Sequence, residues 1–267
     1  MEKIGLIAGN RKFPLLFCEG AKKNGLYIVA IAIKGETSSR IKRLADKVYW
    51  LKLSDFSRIF GILKGEGVKN VVMAGQISPY RLFSREVADS PDLQQVLSSI
   101  KNKKADTIFG AIAARLKDAG LDLLDSTTFV KDLFPSKGVL TRQKPGAADW
   151  EDINFGLGLA KSIGALDIGQ TVAVKDKAIV AVEALEGTDN LILRAGRLVP
   201  GGITVVKVAK PDQDARFDIP VVGLKTIKNL IKAGAKCLAI EADKALFIDR
   251  GASIRLADKK GIIIAAV

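Results

Sequence analysis

The densest group of chemically capable side chains lies between Lys210 and Asp218. Asp212, Asp214 and Asp218 fall within seven residues, and Lys210 and Arg216 stand close to them. Carboxylate oxygens are ligands that Mg²⁺ prefers, and lysine and arginine neutralise phosphate oxygens. The loop therefore predicts metal-assisted chemistry on a phosphate group. A polar surface loop, with acids that are solvated or cap the next helix, would contain the same residues.

A second acidic group closes an apolar stretch that ends at Glu183. Glu186 and Gly187 follow, and then come Thr188 and Asp189. A helix cap explains Thr188 or Asp189. It does not explain Glu183, because a charge in an apolar strand is costly unless it is paired.

A third group repeats this pattern near the end of the chain. The apolar stretch that begins at Cys237 ends in Glu241, and Lys244 follows. Together with Glu183 and Glu186, this places acids at several strand ends in the second half of the chain. Such an arrangement is what the rim of an active site would show.

Two glycine turns mark the first half of the chain. Gly9 and Asn10 follow the first apolar stretch, and Gly75 and Gln76 follow the fourth. Ligands of open parallel sheets bind beyond the carboxyl ends of the strands, where glycine permits close approach and a helix N-terminus attracts phosphate. The first turn carries Arg11 where a dinucleotide-binding turn has glycine, so we do not expect such a site; a plain tight turn is the alternative.

The composition excludes several kinds of catalytic and metal site and indicates which ligands the chain could bind. The chain has 267 residues and no histidine, which excludes Ser-His-Asp and Cys-His nucleophile pairs, HExxH zinc sites and two-histidine iron sites. Its formal net charge of +13 favours phosphorylated substrates, nucleic acid or anionic lipid. No dense basic run appears, so we expect no nucleic-acid partner. Cys18 and Cys237 lie in apolar stretches, which predicts buried thiols.

The first half must position its turns with alternating strands and helices. Apolar strands separated by helices indicate a parallel sheet that is covered on both faces. The predicted strands are Lys3–Ala8, Tyr27–Ile33, Lys47–Leu53, Val68–Ala74 and Leu121–Leu124, and the predicted helices are Phe13–Asn24, Ser54–Gly65, Asp89–Lys101 and Asp106–Ala119.

The second half shows another α/β pattern. The predicted strands are Thr171–Val174, Ala178–Ala184, Thr204–Ala209, Cys237–Glu241, Ala245–Asp249 and Ile262–Ala266, and the helices are Asp149–Ile163 (capped by Asp149), Thr188–Arg197, Leu224–Ala233 and one before the last strand. We thus predict two α/β domains, a Rossmann-like parallel-sheet domain over 1–130 and a mixed-sheet catalytic domain over 131–267. A cleft between them is the expected site.

Taken in order, these segments resemble one enzyme family. The stretches that carry the resemblance are AVEALEGTD, KPDQDARFDIPVVGLKTI and AKCLAIEADKA, with GLIAGNRKFP, VVMAGQIS, GVLTR and DINFGLGLAKSIGALDIGQ around them. They are similar to the UDP-2,3-diacylglucosamine pyrophosphatases of lipid A biosynthesis in the family unrelated to calcineurin-like phosphoesterases. The resemblance covers essentially the whole chain.

The resemblance implies a reaction and a site. The reaction is Mg²⁺-dependent hydrolysis of UDP-2,3-diacylglucosamine to UMP and 2,3-diacylglucosamine 1-phosphate (lipid X), with water attacking the uridine-side phosphorus. The pattern QDxRxDxP places the essential acid at Asp214 or Asp218, and both, with Glu183, are the expected metal ligands. The residues expected to contact the substrate are Gly9, Asn10, Gly75, Gln76, Glu186, Gly187, Thr188, Asp189, Arg194, Lys210, Arg216 and Lys244.

The resemblance also implies a cytoplasmic homodimer that touches the anionic inner membrane peripherally. Consistent with this, the N-terminus lacks the features of a signal peptide, and its apolar runs are too short to span a bilayer. The alternative is a non-catalytic nucleotide or nucleic-acid binding module. That alternative leaves the carboxylates at the strand ends unexplained.

Overall fold

The structure is a computed structural model that describes residues 1–78, 80–81, 84–100 and 105–267. The described chain divides into two compact units. The first comprises Met1–Lys131 together with Asp214–Asp218, and the second comprises Asp132–Gln213 together with Ile219–Val267. Among the described residues, no helix is long and apolar enough to cross a membrane.

The first unit is built on a parallel sheet with the strand order β3-β2-β1-β4-β5. The strands are β1 (Lys3–Ala8), β2 (Tyr27–Ile33), β3 (Lys47–Leu51), β4 (Asn70–Ala74) and β5 (Asp122–Leu123), and the helices are α1 (Phe13–Lys23), α2 (Arg58–Gly65), α3 (Arg85–Ala88), α4 (Pro91–Ser98) and α5 (Ala105–Asp118). The residues of β2 after its first are all buried, as expected of a parallel strand that is covered on both faces. The predicted Rossmann-like sheet is confirmed.

The strand order fixes the place where a ligand is expected. The chain runs from β1 outward to β2 and β3, and then returns to pair β4 with the other side of β1. Such a reversal leaves a crevice beyond the carboxyl ends of the two central strands. Here those strands end at Ala8 and Ala74, directly before the two glycine turns.

The second unit contains a mixed sheet with the strand order β6-β13-β11-β9-β7-β8 and a short parallel pair, β10-β12. The strands are β6 (Gly138–Val139), β7 (Thr171–Lys175), β8 (Ala178–Val182), β9 (Thr204–Lys207), β10 (Val221–Val222), β11 (Cys237–Ile240), β12 (Leu246–Phe247) and β13 (Ile263–Ala266), and the helices are α6 (Ala147–Ala165), α7 (Thr188–Leu198), α8 (Leu224–Lys232) and α9 (Arg250–Lys260). The predicted mixed-sheet α/β unit is confirmed. Cys18 and Cys237 are buried free thiols, and burial raises the pKa of each to about 12.

Three predicted helix starts are wrong. Helix α6 begins at Ala147, so Asp149 is not its cap but lies inside its first turn, where its carboxylate accepts from the Gly146 N–H at 2.9 Å. The predicted helix from Ser54 begins instead with a separate 3₁₀ turn, Leu53–Asp55, and α2 follows it. The predicted helix Asp89–Lys101 corresponds to α4, which begins at Pro91 rather than at Asp89 and ends at Ser98, and its expected last residue, Lys101, lies outside the described residues.

The hairpin between β7 and β8 depends on a buried acid. Asp176 and Lys177 form its two-residue loop with φ values of 51° and 59°, a conformation that is costly without glycine. The carboxylate of Asp152, only 2% exposed, accepts hydrogen bonds from the backbone N–H groups of Lys177 (2.7 Å) and Asp176 (3.3 Å). The helix α6 side chain therefore holds the turn in shape.

Replacing Asp152 by alanine is expected to lower the free energy of unfolding by about 1–3 kcal/mol, since two backbone donors lose their acceptor. Urea unfolding measures this change. The neighbouring Glu151→Ala is the control, because Glu151 forms an exposed ion pair with Lys177 and its loss is expected to cost less than about 1 kcal/mol. Equal losses for both variants would contradict the role given to Asp152.

Candidate functional site

The two glycine turns of the first unit meet at the predicted crevice. The Gly9 N–H donates to Ala74 O at 2.8 Å, and the Asn10 N–H donates to Gln76 O at 2.7 Å. A Cβ atom on Gly9 would lie 2.6 Å from Gln76 O, closer than atoms can approach. Gly9, Asn10, Gly75 and Gln76 are thus brought together, and glycine is required where the backbones touch.

A polar network surrounds Asn10. Its side-chain N–H donates to Glu36 Oε2 at 2.6 Å and to Ser78 Oγ at 3.2 Å, and the Ser78 hydroxyl also donates to Glu36 at 3.0 Å. Arg81 lies 3.5 Å from Glu36 and pairs with Glu86 as well. The Glu36 side chain is only 3% exposed, so this acid anchors the crevice.

The sequence reasoning missed Glu36 and Glu86. Glu36 lies three residues after the end of β2. An acid in that position shortly after an apolar strand is the same signal that drew attention to Glu183. Glu86 offers no such signal, since its role comes from hydrogen bonds with the Leu53 N–H at 2.8 Å and with Arg81.

A cavity of about 680 Å³ opens beyond the carboxyl ends of β2 and β3. Its lining residues are Lys34, Gly35, Lys52, Ser54, Arg81, Glu86 and Asp89. A volume of this size suits a small molecule. The three cationic side chains of its lining outnumber the two acids, which favours an anionic ligand.

The acidic segment Asp214–Asp218 groups with the first unit. The Ser126 N–H and hydroxyl both donate to Ala215 O, at 3.0 and 2.9 Å. The Phe217 ring stacks on Phe109 with a centroid distance of 5.2 Å. Contacts with residues far away in sequence therefore fix the backbone on which both predicted catalytic acids stand.

Asp214 is held by a neighbouring guanidinium. Arg216 Nε lies 2.9 Å from Asp214 Oδ1, and Arg216 Nη2 lies 2.6 Å from Oδ2. These hydrogen bonds lower the pKa of Asp214 below that of an ordinary aspartate, despite partial burial. Asp214 is therefore ionised at neutral pH, and a carboxylate of low pKa is better suited to bind a cation than to accept a proton.

The acidic side chains decide whether the structure fits the expected magnesium ion. Within the described ranges, no three acidic or cysteine side chains come together in a way that could hold a metal. Mg²⁺ often binds through one or two carboxylates, several waters and substrate phosphates. Asp214 and Asp218 supply the two carboxylates that this mode requires, and the Asp218 N–H to Asp214 O bond of 3.0 Å places both residues in one turn.

In the second unit, the predicted strand ends share one edge of the sheet. The Glu183 N–H donates to Thr171 O at 2.9 Å, Thr171 pairs with Lys207, and the Glu241 N–H donates to Lys207 O at 3.1 Å. The carboxyl ends of β8, β9 and β11 and the start of β7 therefore lie side by side. The acids that the sequence places at strand ends therefore stand along one edge of this sheet.

Glu183 forms a hydrogen bond with Thr188 at this edge. Its side chain is buried, and Oε1 accepts from the Thr188 hydroxyl at 2.8 Å. Thr188 begins helix α7 after Gly187, which has a φ of 78°. Glu183 belongs to the second unit, whereas Asp214 and Asp218 group with the first.

The remaining residues after Glu183 pair with basic side chains. Arg194 Nη2 lies 2.6 Å from Glu186 Oε1 and 2.9 Å from Val182 O. Burial opposes ionisation of Glu186, but the hydrogen bonds from Arg194 and backbone N–H groups prevail and lower its pKa. Asp189 lies inside the first turn of α7 and binds Asn229 and Lys225, each at 3.0 Å.

Glu241 organises the basic side chains at the edge. It accepts from Lys161 at 2.5 Å and from the Ala209 N–H at 2.9 Å, and Lys244 lies 3.0 Å away. Burial raises the pKa of Glu241, but these donors outweigh burial, so its pKa lies below that of an ordinary glutamate. Lys244 therefore lies at this edge of the second-unit sheet. Lys161 lies there too, although the sequence did not mark it as a site residue.

Lys210 is fixed by another residue that the sequence reasoning missed. Its ammonium lies 2.6 Å from Asp167 Oδ1. Asp167 follows α6 with a φ of 54°. Lys161 and Asp167 lie in the stretch DINFGLGLAKSIGALDIGQ, but only the fold reveals their pairing with Glu241 and Lys210.

Replacing Lys161 by methionine is expected to lower the free energy of unfolding at pH 7 by about 1–2 kcal/mol, because Glu241 loses a charged donor. The lowered pKa of Glu241 means that its stabilising effect is present above the pKa of an unfolded glutamate, about 4.3, and is lost as the pH falls through its folded value. The difference from wild type should therefore shrink at pH 4. Urea unfolding at both pH values measures it.

The control is Lys228→Met, which removes an exposed lysine on α8. We expect that variant to stay within about 0.5 kcal/mol of wild type. A Lys161→Met difference that is the same at pH 7 and pH 4 would contradict the ionic role of this contact.

Comparison with known proteins shows which family this chain matches. The family model described as LpxI N-terminal domain matches residues 3–133, and the one described as LpxI C-terminal domain matches residues 136–265. The chain is 29% identical over 280 residues to UDP-2,3-diacylglucosamine pyrophosphatase LpxI of Caulobacter vibrioides, with 100% of this chain and 98% of the relative covered.

Solved structures give weaker likenesses. The biotin carboxylase subunit of pyruvate carboxylase is 14% identical with a TM-score of 0.30, over 70% of this chain and 39% of that one. Phosphoribosylglycinamide synthetase from Anaerococcus prevotii is 11% identical with a TM-score of 0.26, over 67% of this chain and 38% of that one. The chain spans about two fifths of the length of each of these structures.

Proposed function

The chain belongs to the LpxI family, and on that premise we propose that it hydrolyses the pyrophosphate of UDP-2,3-diacylglucosamine. The match to a pyrophosphatase over all of this chain and 98% of the relative is the observation that carries this proposal. The products would be UMP and 2,3-diacylglucosamine 1-phosphate, formed by attack of water on the uridine-side phosphorus. The absence of histidine agrees with a reaction that relies on carboxylates and cations.

The residues of this chain would stabilise the negative charge of the pyrophosphate and hold it in position. Arg216, oriented by Asp214, carries a fixed cation of the kind that binds phosphate oxygens. Charge grows on those oxygens as the pyrophosphate bond breaks, so cations held in place beforehand stabilise the transition state. The lowered pKa of Asp214 keeps that residue anionic during turnover.

Mg²⁺ would be held by Asp214 and Asp218 with phosphate oxygens of the substrate, and it would neutralise the charge of the pyrophosphate. Addition of EDTA is expected to abolish turnover, and Mg²⁺ in excess is expected to restore it. Release of UMP, followed by chromatography, measures both effects. Full activity after exhaustive chelation would remove the metal from the proposal.

The decisive experiment is hydrolysis in water enriched in oxygen-18, followed by phosphorus NMR of the products. Attack on the uridine-side phosphorus places the label in UMP. Label in the sugar phosphate would mean attack on the other phosphorus. Failure to release UMP at all would overturn the hydrolase proposal in favour of a nucleotide-binding protein.

We also propose a homodimer that binds an anionic membrane surface. The net charge of +13 supports attraction to anionic lipid, where a doubly acylated substrate resides. Flotation with vesicles that contain anionic lipid tests the membrane contact, and light scattering tests the dimer. Loss of the protein from the vesicle fraction at every salt concentration would contradict the membrane contact.

A further inference from the structure

A buried lysine, Lys207, lies at the edge of the second-unit sheet where β8, β9 and β11 end. Lys207 is the last residue of β9, and only 4% of it is exposed. Removing an ammonium group from water is costly unless an anion compensates it. The catalytic scheme above does not use this residue.

The protein gives this ammonium only neutral direct partners. Lys207 Nζ donates to Thr188 Oγ1 at 2.7 Å and lies 3.4 Å from Thr171 Oγ1. Among the described residues, no carboxylate lies within ion-pair distance of it. Glu183 is connected to the ammonium group only through the Thr188 hydroxyl, which donates to Glu183 Oε1 at 2.8 Å.

The chemistry of these groups fixes the direction of the hydrogen bonds. An ammonium group has three donors and no acceptor, so Thr188 must accept from Lys207. The single proton of the Thr188 hydroxyl therefore goes to Glu183. Thr188 then has no side-chain proton for a phosphate, whereas Lys207 has one N–H beyond its two hydroxyl partners.

The ammonium lies beside the N-terminus of helix α7. This helix has eleven residues, and Thr188, the partner of Lys207, is its first. Gly187 precedes it and has no side chain to cap the first-turn N–H groups. Such an N-terminus carries partial positive charge, which favours an oxyanion.

The geometry points to a phosphate-binding site formed by Lys207 and the start of α7. This inference rests on the proposed function, because the phosphate would be that of the nucleotide or of the sugar. Other acids nearby are already balanced, since Glu186 pairs with Arg194 and Asp189 pairs with Lys225. Glu183 is the charge that opposes a phosphate at this place.

The test is calorimetric titration of the full chain with UMP, glucosamine 1-phosphate and inorganic phosphate in buffer with EDTA. The variant is Lys207→Gln, which keeps a donor for Thr188 and removes the charge. We expect at least tenfold weaker binding of one of the two esters, and the affected ester identifies the source of the phosphate. If Lys207→Gln weakens the binding of inorganic phosphate but not of either ester, the site binds the free ion. That result would contradict a substrate role.

Glu183→Gln distinguishes this site from a purely structural lysine. If Lys207 binds phosphate, removal of the opposing charge should tighten binding severalfold. If Lys207 only balances Glu183, the single variants should lose stability, the double variant should recover it, and ligand binding should not change. The matched control is Lys228→Gln on the exposed face of α8, which should bind each ligand like wild type.

Unchanged binding of every ligand by a folded Lys207→Gln would overturn the inference. The absence of detectable binding of all three ligands to the wild type would also overturn it. These titrations need no turnover. If no UMP is released in the oxygen-18 experiment but Lys207 still binds phosphate, only the hydrolase proposal would be contradicted.

Discussion

Replacing Asp214 by asparagine is expected to lower kcat for UDP-2,3-diacylglucosamine by a factor of about 10²–10³, the range seen when one electrostatic contact to the transition state is removed. Asparagine keeps the shape of the side chain but cannot neutralise Mg²⁺ or hold Arg216 through two charged oxygens. The segment should stay in place, because the Ser126 bonds to Ala215 and the Phe109 stack do not involve the carboxylate. Steady-state release of UMP measures the effect.

Asp218→Asn is expected to cause a loss in the same range if this residue is the second carboxylate of the site. The matched control is Asp212→Asn, which removes an exposed acid from the same loop. We expect the control to turn over at the wild-type rate. Wild-type rates for both Asp214→Asn and Asp218→Asn would show that the acidic loop is not the site.

Arg216→Gln separates two roles for Asp214. If Asp214 acts only by orienting Arg216, the double variant Asp214→Asn/Arg216→Gln should be no slower than Arg216→Gln alone. If Asp214 also binds the metal, the double variant should be slower and should need more Mg²⁺ for half-maximal activity. The magnesium titration is a readout that a purely structural contact would not move.

Strand positions were predictable from the sequence because burial leaves a local signature. The predicted strands Lys3–Ala8 and Tyr27–Ile33 match the observed β1 and β2 at both ends. A central parallel strand is apolar on both faces, so its limits coincide with the limits of the apolar run. The positions of Gly9 and Gly75 at one edge followed from the same reasoning, since parallel strands end at a common edge.

Pairings across long sequence separations were not predictable. Lys161 and Glu241 are 80 residues apart, and the fold of the second unit alone brings them within 2.5 Å. The pairing of Asn10 with Glu36 likewise depends on β1 and β2 lying side by side. No local pattern marks Lys161, because a lysine on a helix normally points to solvent.

The acidic loop shows the same limit at the level of whole segments. Asp214–Asp218 lies in a stretch of sequence whose neighbours on both sides belong to the second unit, yet it groups with the first. The contacts responsible are the stack of Phe217 on Phe109 and the Ala215 carbonyl on Ser126. Each is a single tertiary contact without periodicity, so the sequence identified the acids but not the unit that holds them.

Replacing Gly75 by alanine is expected to lower the free energy of unfolding by about 2–5 kcal/mol. Gly75 has a φ of +85°, which costs an L-residue about 1–2 kcal/mol. A Cβ atom there would also lie 2.6 Å from Asn10 O and 2.8 Å from the Pro14 ring. Overpacking of this kind costs about 1–3 kcal/mol more. Urea unfolding measures the total.

Gly25→Ala isolates the effect of close contact at Gly75. Gly25 has a similar φ of +72°, but a Cβ atom there would meet nothing within 4 Å. This variant should therefore lose only the conformational part, about 1–2 kcal/mol. The difference between the two variants measures how tightly the turns after β1 and β4 are pressed together. Equal losses would mean that the Asn10 and Gln76 backbones can separate at little cost, and the crevice would then be a soft part of the fold rather than a fixed support for a ligand.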